Sequence, residues 1–207
     1  MIVEQYGLKY SRVTGQDLEI LRYWRNQSYI RNTMQFKEYI SPLMQKAWFQ
    51  KINNKNNCYF IIQHEQKKIG LINCKDSSES KVAEGGIFIW DKSYWGSPIP
   101  AYASLTMLQA VFDVFNSGEA SIATVAINNK KALDFNLMLG YKIIGKTADE
   151  TCYRLYLDRE DYNLKTKKLI KAAALLNSGN SEFKLTAEIN ERQTDEINTY
   201  LNQLNVN

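Results

Sequence analysis

The chain has one histidine and three cysteines among 207 residues, too few and too scattered for a zinc site or a disulfide framework. Cys58, Cys74 and Cys152 fall in strand-like stretches and read as small buried apolar side chains; His64 has no partner motif and reads as structural. No metal is expected. Long apolar runs are missing too: nothing approaches the ~18 consecutive apolar residues of a membrane-spanning helix. The opening MIVEQYGLKYSRV lacks the basic region followed by an apolar stretch that marks a signal peptide. A cytoplasmic protein with no membrane partner is the expectation. Charge of one sign is scarce as well. Lys and Arg number 26 against 22 Asp and Glu, a net of +4, and the basic residues are dispersed except around 165–171, which reads as a solvated helix face. A continuous phosphate-tracking surface, and with it a nucleic-acid partner, is not expected.

What is present is 44% hydrophobic and 23% charged, the composition of one globular domain with a modest appendage. Alternation over Tyr6 to Val13 reads as a first strand, and Thr14 caps a helix through Asp17, Leu18, Leu21 and Trp24. SPLMQKAWFQKI opens a second helix, with Ser41 as cap and Pro42 at the first helical position. CYFIIQHEQKKIGLINCKD gives two strands joined by a short polar turn near Glu65 to Lys67. A Ser- and Lys-rich loop (75–81) leads to VAEGGIFIWD, a third strand of the meander, where Gly85 and Gly86 admit a bulge or a close approach to the backbone. Pro98 and Pro100 exclude a helix interior, so the helix AYASLTMLQAVFDVF follows a loop. EASIATVAI is a buried strand, NKKALDFNLMLGY a helix closed by Gly140, and YKIIGK with TCYRLYLD a final strand pair. The order is β α α β β β α β α β β. Composition shifts after Asp158: LKTKKLIKAAALL and AEINERQTDEINTYLNQL are helical segments separated by SGNSEF. The division expected is a domain over 1–158 and a helical C-terminal extension over 159–207.

That order over residues 6 to 157 resembles the GNAT N-acetyltransferase superfamily. AEGGIFIWD followed by YWG and a helix is similar to its fourth strand, pyrophosphate loop and third helix. NNKKALDFNLMLGY is similar to its later motif, an Asn, a small residue three positions on, and a closing Gly with an aromatic. The resemblance implies an α/β GNAT fold: a mixed, mostly antiparallel central sheet with splayed fourth and fifth strands, flanked by helices. It also implies acetyl-CoA as co-substrate, with direct transfer to a primary amine. The backbone of Phe88, Ile89 and Trp90 would then pair with the pantetheine amides. Trp95, Gly96 and Ser97 would form the phosphate loop, where N–H donors converge at a helix N-terminus, and Asn129 and Lys130 would add cofactor contacts.

This chain departs from the family pattern at two places. Pro98 stands where the phosphate loop usually has its second glycine, which removes one donor and forces Ser97 toward extended backbone, leaving Lys130 or Lys131 to help hold the diphosphate. Asn136 stands where many relatives carry a tyrosine that protonates the departing thiolate; Tyr141 is the nearby alternative, with Asn136 as an orienting amide. Glu84, just ahead of the cofactor-pairing segment, is the candidate base, because an ammonium must lose a proton before its lone pair can attack.

WRNQSYIRNTM resembles the substrate-side segment of GNAT enzymes acting on ribosomal-protein termini and on nucleotide-linked amino sugars. Trp24, Arg25 and Asn26 carry that likeness. Arg25 offers a fork for phosphate or carboxylate, while Trp24, Met34 and Phe36 would floor an apolar or sugar-stacking pocket; Trp24 also fits the core beside Leu21. The acceptor expected is a nucleotide-linked amino sugar of surface-glycan biosynthesis. The alternatives are a protein N-terminus, a polyamine, or a non-catalytic GNAT-fold binding module, and a homodimer is compatible with each.

Overall fold

A computed structural model describes residues 1–54, 57–77, 81–114 and 118–186. The chain opens not with one strand but with a hairpin. β1 (Ile2–Gln5) and β2 (Leu8–Arg12) pair antiparallel around Tyr6 and Gly7, both at positive φ. The alternation from Tyr6 concealed this turn, because a tyrosine at φ +53° is an unusual turn residue. Thr14 then takes its expected place: its N–H and hydroxyl both bind Asp17 Oδ2, at 2.8 and 2.9 Å, at the start of the turn leading into α1 (Leu18–Asn26). α2 (Ser28–Arg31) is one short turn, and α3 (Pro42–Ile52) starts where Ser41 Oγ accepts from the Met44 N–H at 3.2 Å.

β3 (Asn57–His64), β4 (Lys67–Ser77) and β5 (Val82–Ile89) form the antiparallel meander, with Glu65 and Gln66 at positive φ in the first turn. β4 extends through Ser77 into the stretch read as loop. No bulge occurs at Gly85 or Gly86, whose register with Cys74 and Asn73 is regular. α4 (Ile99–Gln109) carries Pro100 in its first turn and ends in a wide π turn over Ala110–Val114. β6 (Ala120–Ala126) lies parallel to β5, and α5 (Lys130–Leu139) is capped by Asn129 and closed by Gly140 at φ +110°. β7 (Lys142–Lys146) and β8 (Cys152–Asp158) complete the predicted order, with β8 between β6 and β7.

After Asp158 the chain returns to the body. A short α6 (Arg159–Asp161) and a π turn place Tyr162 in the core, its ring stacked on Phe112 with centroids 4.3 Å apart. α7 (Lys167–Leu176) follows, and then β9 (Lys184–Thr186), which pairs with β1. The sequence reading ran SGNSEF directly into a second helical segment and missed this strand. That segment, from Ala187 onward, lies outside the described residues. The sheet order is β7-β8-β6-β5-β4-β3-β2-β1-β9.

Alternation on β5 sorts the two faces of the sheet. Ala83, Ile87 and Ile89 pack toward α4, while Phe88 and Trp90 pack with Leu21, Ile30 and Ile52 of α1 to α3. The two faces communicate between β5 and β6. β5 and β6 pair only from Val82↔Ala120 to Gly85↔Ala123, after which both strands continue but diverge.

Candidate functional site

The divergence past Gly85 opens a cleft of 1210 Å³ that passes between β5 and β6 and reaches both faces of the sheet. The hydrogen-bonding parity of β5 decides what its strand edge offers there. Trp90 N–H donates to Ile69 O at 2.9 Å, so Trp90 and, by alternation, Phe88 turn their main chain to β4. The intervening Ile87 and Ile89 turn theirs toward the gap. This corrects the expected pairing set of Phe88, Ile89 and Trp90: Ile89 faces the gap, Ile87 joins it, and the other two do not. Ile89 O is already occupied, accepting from the Trp95 indole N–H at 2.9 Å. The Trp90 indole donates to Lys68 O at 3.0 Å, and its ring is buried behind the sheet.

Below the gap lies the loop into α4. Gly96 takes φ +81°, which glycine adopts without strain. Ser97 N–H and Oγ–H both donate to Tyr94 O, at 3.2 and 2.7 Å, and Ser97 Oγ accepts from Ile99 N–H at 3.3 Å. With proline at 98 and 100, the amide N–H groups of this loop without a partner among the described residues are those of Gly96 and Ala101. Trp95, Gly96 and Ser97 line the cleft, as do Asn129 and Lys131; Lys130 does not.

At the closed end of the gap the Tyr141 hydroxyl meets Ser121 Oγ at 2.7 Å, with both groups buried. Burial raises the Tyr141 phenol above its ordinary range, and the Ser121 hydrogen bond only partly offsets this. Asn136 also lines the cleft, but its amide donates back to Ala132 O of its own helix at 2.8 Å.

On the opposite face, α1 to α3 supply the other half of the cleft. Met34 and Phe36 line it with Tyr29, Trp48 and Tyr59. Arg25 lies among them, its guanidinium 5.7 Å from the Phe88 ring centroid, and Nη1 is buried without a hydrogen-bond partner among the described residues. Burial pulls its pKa below the ordinary arginine range, though a guanidinium keeps its charge at any physiological pH. Trp24 and Asn26 stand outside the cleft. Trp24 stacks on Trp90 with planes 5° apart, and the Asn26 amide binds both the N–H and the C=O of Ile40, at 2.8 and 2.9 Å. They hold the wall that presents Arg25.

Glu84 sits on the same face as Gly86 and Phe88 but just outside the cleft lining. Its Oε2 is 3.0 Å from Lys75 Nζ. Tyr59 is pushed up to about 12, first by burial and then by the Glu84 charge. Tyr59 and Asn73, cross-strand neighbours on β3 and β4, line the cleft and were missed in the sequence. The available hint was a polar Asn inside the otherwise apolar GLINC.

Among the described residues the cleft lining includes the cations Arg25 and Lys131 and no carboxylate, and no group of three His, Cys, Asp or Glu gathers to hold a metal. Nor is any described helix long and apolar enough to cross a membrane.

These features are those of an acyltransferase fold in which a sheet opens to admit a thioester. The chain belongs to the GNAT acetyltransferases: residues 8–142 match the acetyltransferase (GNAT) domain family. Solved structures share its fold. A spermidine N-acetyltransferase from Vibrio cholerae, in complex with CoA and spermine, is similar with a TM-score of 0.68 at 20% identity, over 76% of this chain and 98% of the other. An aminoglycoside acetyltransferase in complex with coenzyme A gives 0.64 at 12% identity, over 76% and 98%. A domain from Methanocaldococcus jannaschii gives 0.65 at 20% identity, over 73% and 97%. No curated protein sequence matches the chain.

Proposed function

We propose that the protein transfers the acetyl group of acetyl-CoA directly to the primary amine of a nucleotide-linked amino sugar. The observation that carries the acceptor is the charge of the cleft: the Arg25 guanidinium, whose Nη1 is buried without a partner among the described residues, and no carboxylate among the described lining residues. A polyamine or an aminoglycoside keeps several positive charges besides the reacting amine and needs carboxylates to meet them. A nucleotide-linked sugar brings the reverse, a diphosphate for Arg25 and a ring for Tyr29, Trp48 and Phe88 to flank.

The residues present suit acetyl-CoA. The main chain of Ile87 and the N–H of Ile89 face an open strand edge of the kind a pantetheine arm can join, and the Gly96 and Ala101 amides with Lys131 suit its diphosphate. When bound, acetyl-CoA supplies the thioester carbon that the amine attacks and the thiolate that leaves. The protein's part is alignment above all. The Ile87 N–H polarises the carbonyl, and Glu84 takes the amine proton through water. Tyr141, hydrogen-bonded to Ser121 at the closed end of the gap, returns a proton to the sulfur and regains one through that hydroxyl, and Asn136 helps fix its own helix.

The test is a thermal-shift titration followed by a thiol-release assay. Stabilisation by acetyl-CoA, with thiol released on adding UDP-glucosamine and not on adding spermidine or a peptide amine, is the expected result. Release with spermidine alone overturns the acceptor, and no stabilisation by acetyl-CoA overturns the activity.

A further inference from the structure

We propose that Asn73 is the residue that positions the acceptor amine at the gap, and that Gly86 is glycine to leave room for it; this rests on the acetyl-transfer reading above. Asn73 lies mid-strand on β4 between Tyr59 of β3 and Gly86 of β5, on the face that carries the acceptor half of the cleft. Gly86 is the first residue of β5 beyond its last pair with β6, so the Asn73 carboxamide lies beside the mouth of the opening. The fit is tight. A Cβ on Gly86 would stand 2.9 Å from Asn73 Oδ1 and 3.6 Å from its Cγ, so the amide rests across the glycine.

The amide is also free. The side chains of Asn26, Asn129 and Asn136 are bonded to the protein, whereas Asn73 has no side-chain partner among the described residues. The carboxamide is half-buried on an otherwise apolar strand and lines the cleft, so a ligand entering there meets its open donor and acceptor. Its chemistry fits an amine flanked by hydroxyls. Oδ1 accepts one N–H of the neutral amine, which turns the lone pair toward the gap, and Nδ2 donates to a hydroxyl on a neighbouring carbon. Asn73 is thus a positioning group that makes no bond and moves no proton.

The experiment compares Asn73→Ala, Asn73→Asp and Gly86→Ala with wild type, measuring acetyl-CoA affinity by calorimetry and UDP-glucosamine turnover by thiol release. Asn73→Ala is expected to lower kcat by about 100-fold, the scale of a misplaced reactant, with acetyl-CoA affinity unchanged. Asn73→Asp keeps the acceptor oxygen and is expected to recover about tenfold of that loss. Gly86→Ala displaces only the end of a flexible side chain, so the sheet persists while turnover falls as in Asn73→Ala. Wild-type turnover in Asn73→Ala overturns the positioning role and leaves the transferase reading intact. A wild-type protein that binds acetyl-CoA but acetylates no probe overturns both.

Discussion

Arg25 lies over the ring of Phe88, 5.7 Å from Cζ to the ring centroid, with one terminal nitrogen buried and unpartnered among the described residues. The aromatic face stabilises the cation without using up its donors, so the fork stays available to an anion. Arg25→Ala is expected to raise the acceptor KM by about 10- to 100-fold, the span of hydrogen bonds to charged groups, with acetyl-CoA affinity unchanged. Arg25→Lys keeps the charge but not the fork and falls between. Steady-state kinetics on the acceptor check this; equal KM for all three proteins removes Arg25 from recognition.

Glu84 is the proposed proton acceptor although Lys75 holds one of its oxygens. Glu84→Gln is expected to slow turnover by about 100-fold at neutral pH, the lower range of general-base catalysis. The loss shrinks as pH rises, because the amine then deprotonates unaided. Rates measured from pH 6 to 10 decide it, and superimposable profiles dismiss Glu84.

The loop into α4 carries prolines at 98 and 100, leaving Gly96 and Ala101 as its open amides. Pro98→Ala restores an N–H at the helix entry. One further hydrogen bond of about 1 kcal/mol net tightens acetyl-CoA several-fold, read by calorimetry. Unchanged affinity would mean that the amide at 98 does not face the diphosphate.

How much of this was legible in the sequence depends on where the stabilising partner of each residue lies. Ser41 with Pro42 and Asn129 with Gly140 mark α3 and α5 because caps act within a few residues of themselves. Lys184–Thr186 carries no such mark: three residues become a strand only because β1 offers an edge from the other end of the sequence. The site divides in the same way. Gly96, Asn129 and Arg25 stand in recognisable strings, but Asn73 gains its place from Tyr59 and Gly86 across two strands, which spacing along one strand cannot reveal. Trp24 and Asn26 share the string of Arg25 and yet build the wall behind it.

Asp91 gives a pH dependence with a definite sign. Lys67 Nζ at 2.5 Å, helped by the hydroxyl and N–H of Ser93, holds its carboxyl down to about 2. A carboxyl depressed in the folded protein stabilises fully above its unfolded value of about 3.9. That contribution disappears as pH falls from about 4 toward 2. Because Lys67 is exposed and solvent screens the pair, the effect is at most about 1 kcal/mol. Urea unfolding at stepped pH should show Asp91→Asn less stable than wild type at pH 7, with the gap closing by pH 2; a constant gap would assign the loss to packing.

The pairing of β9 with β1 sets an order on biosynthesis. Ile2 to Glu4 are synthesised well before Lys184 to Thr186, so their outer hydrogen bonds wait for that later strand. Until β9 is made, that rim of the nascent sheet stays exposed and able to recruit strands from other chains. Slowing synthesis of the stretch before Lys184 should therefore promote aggregation before it impairs chemistry.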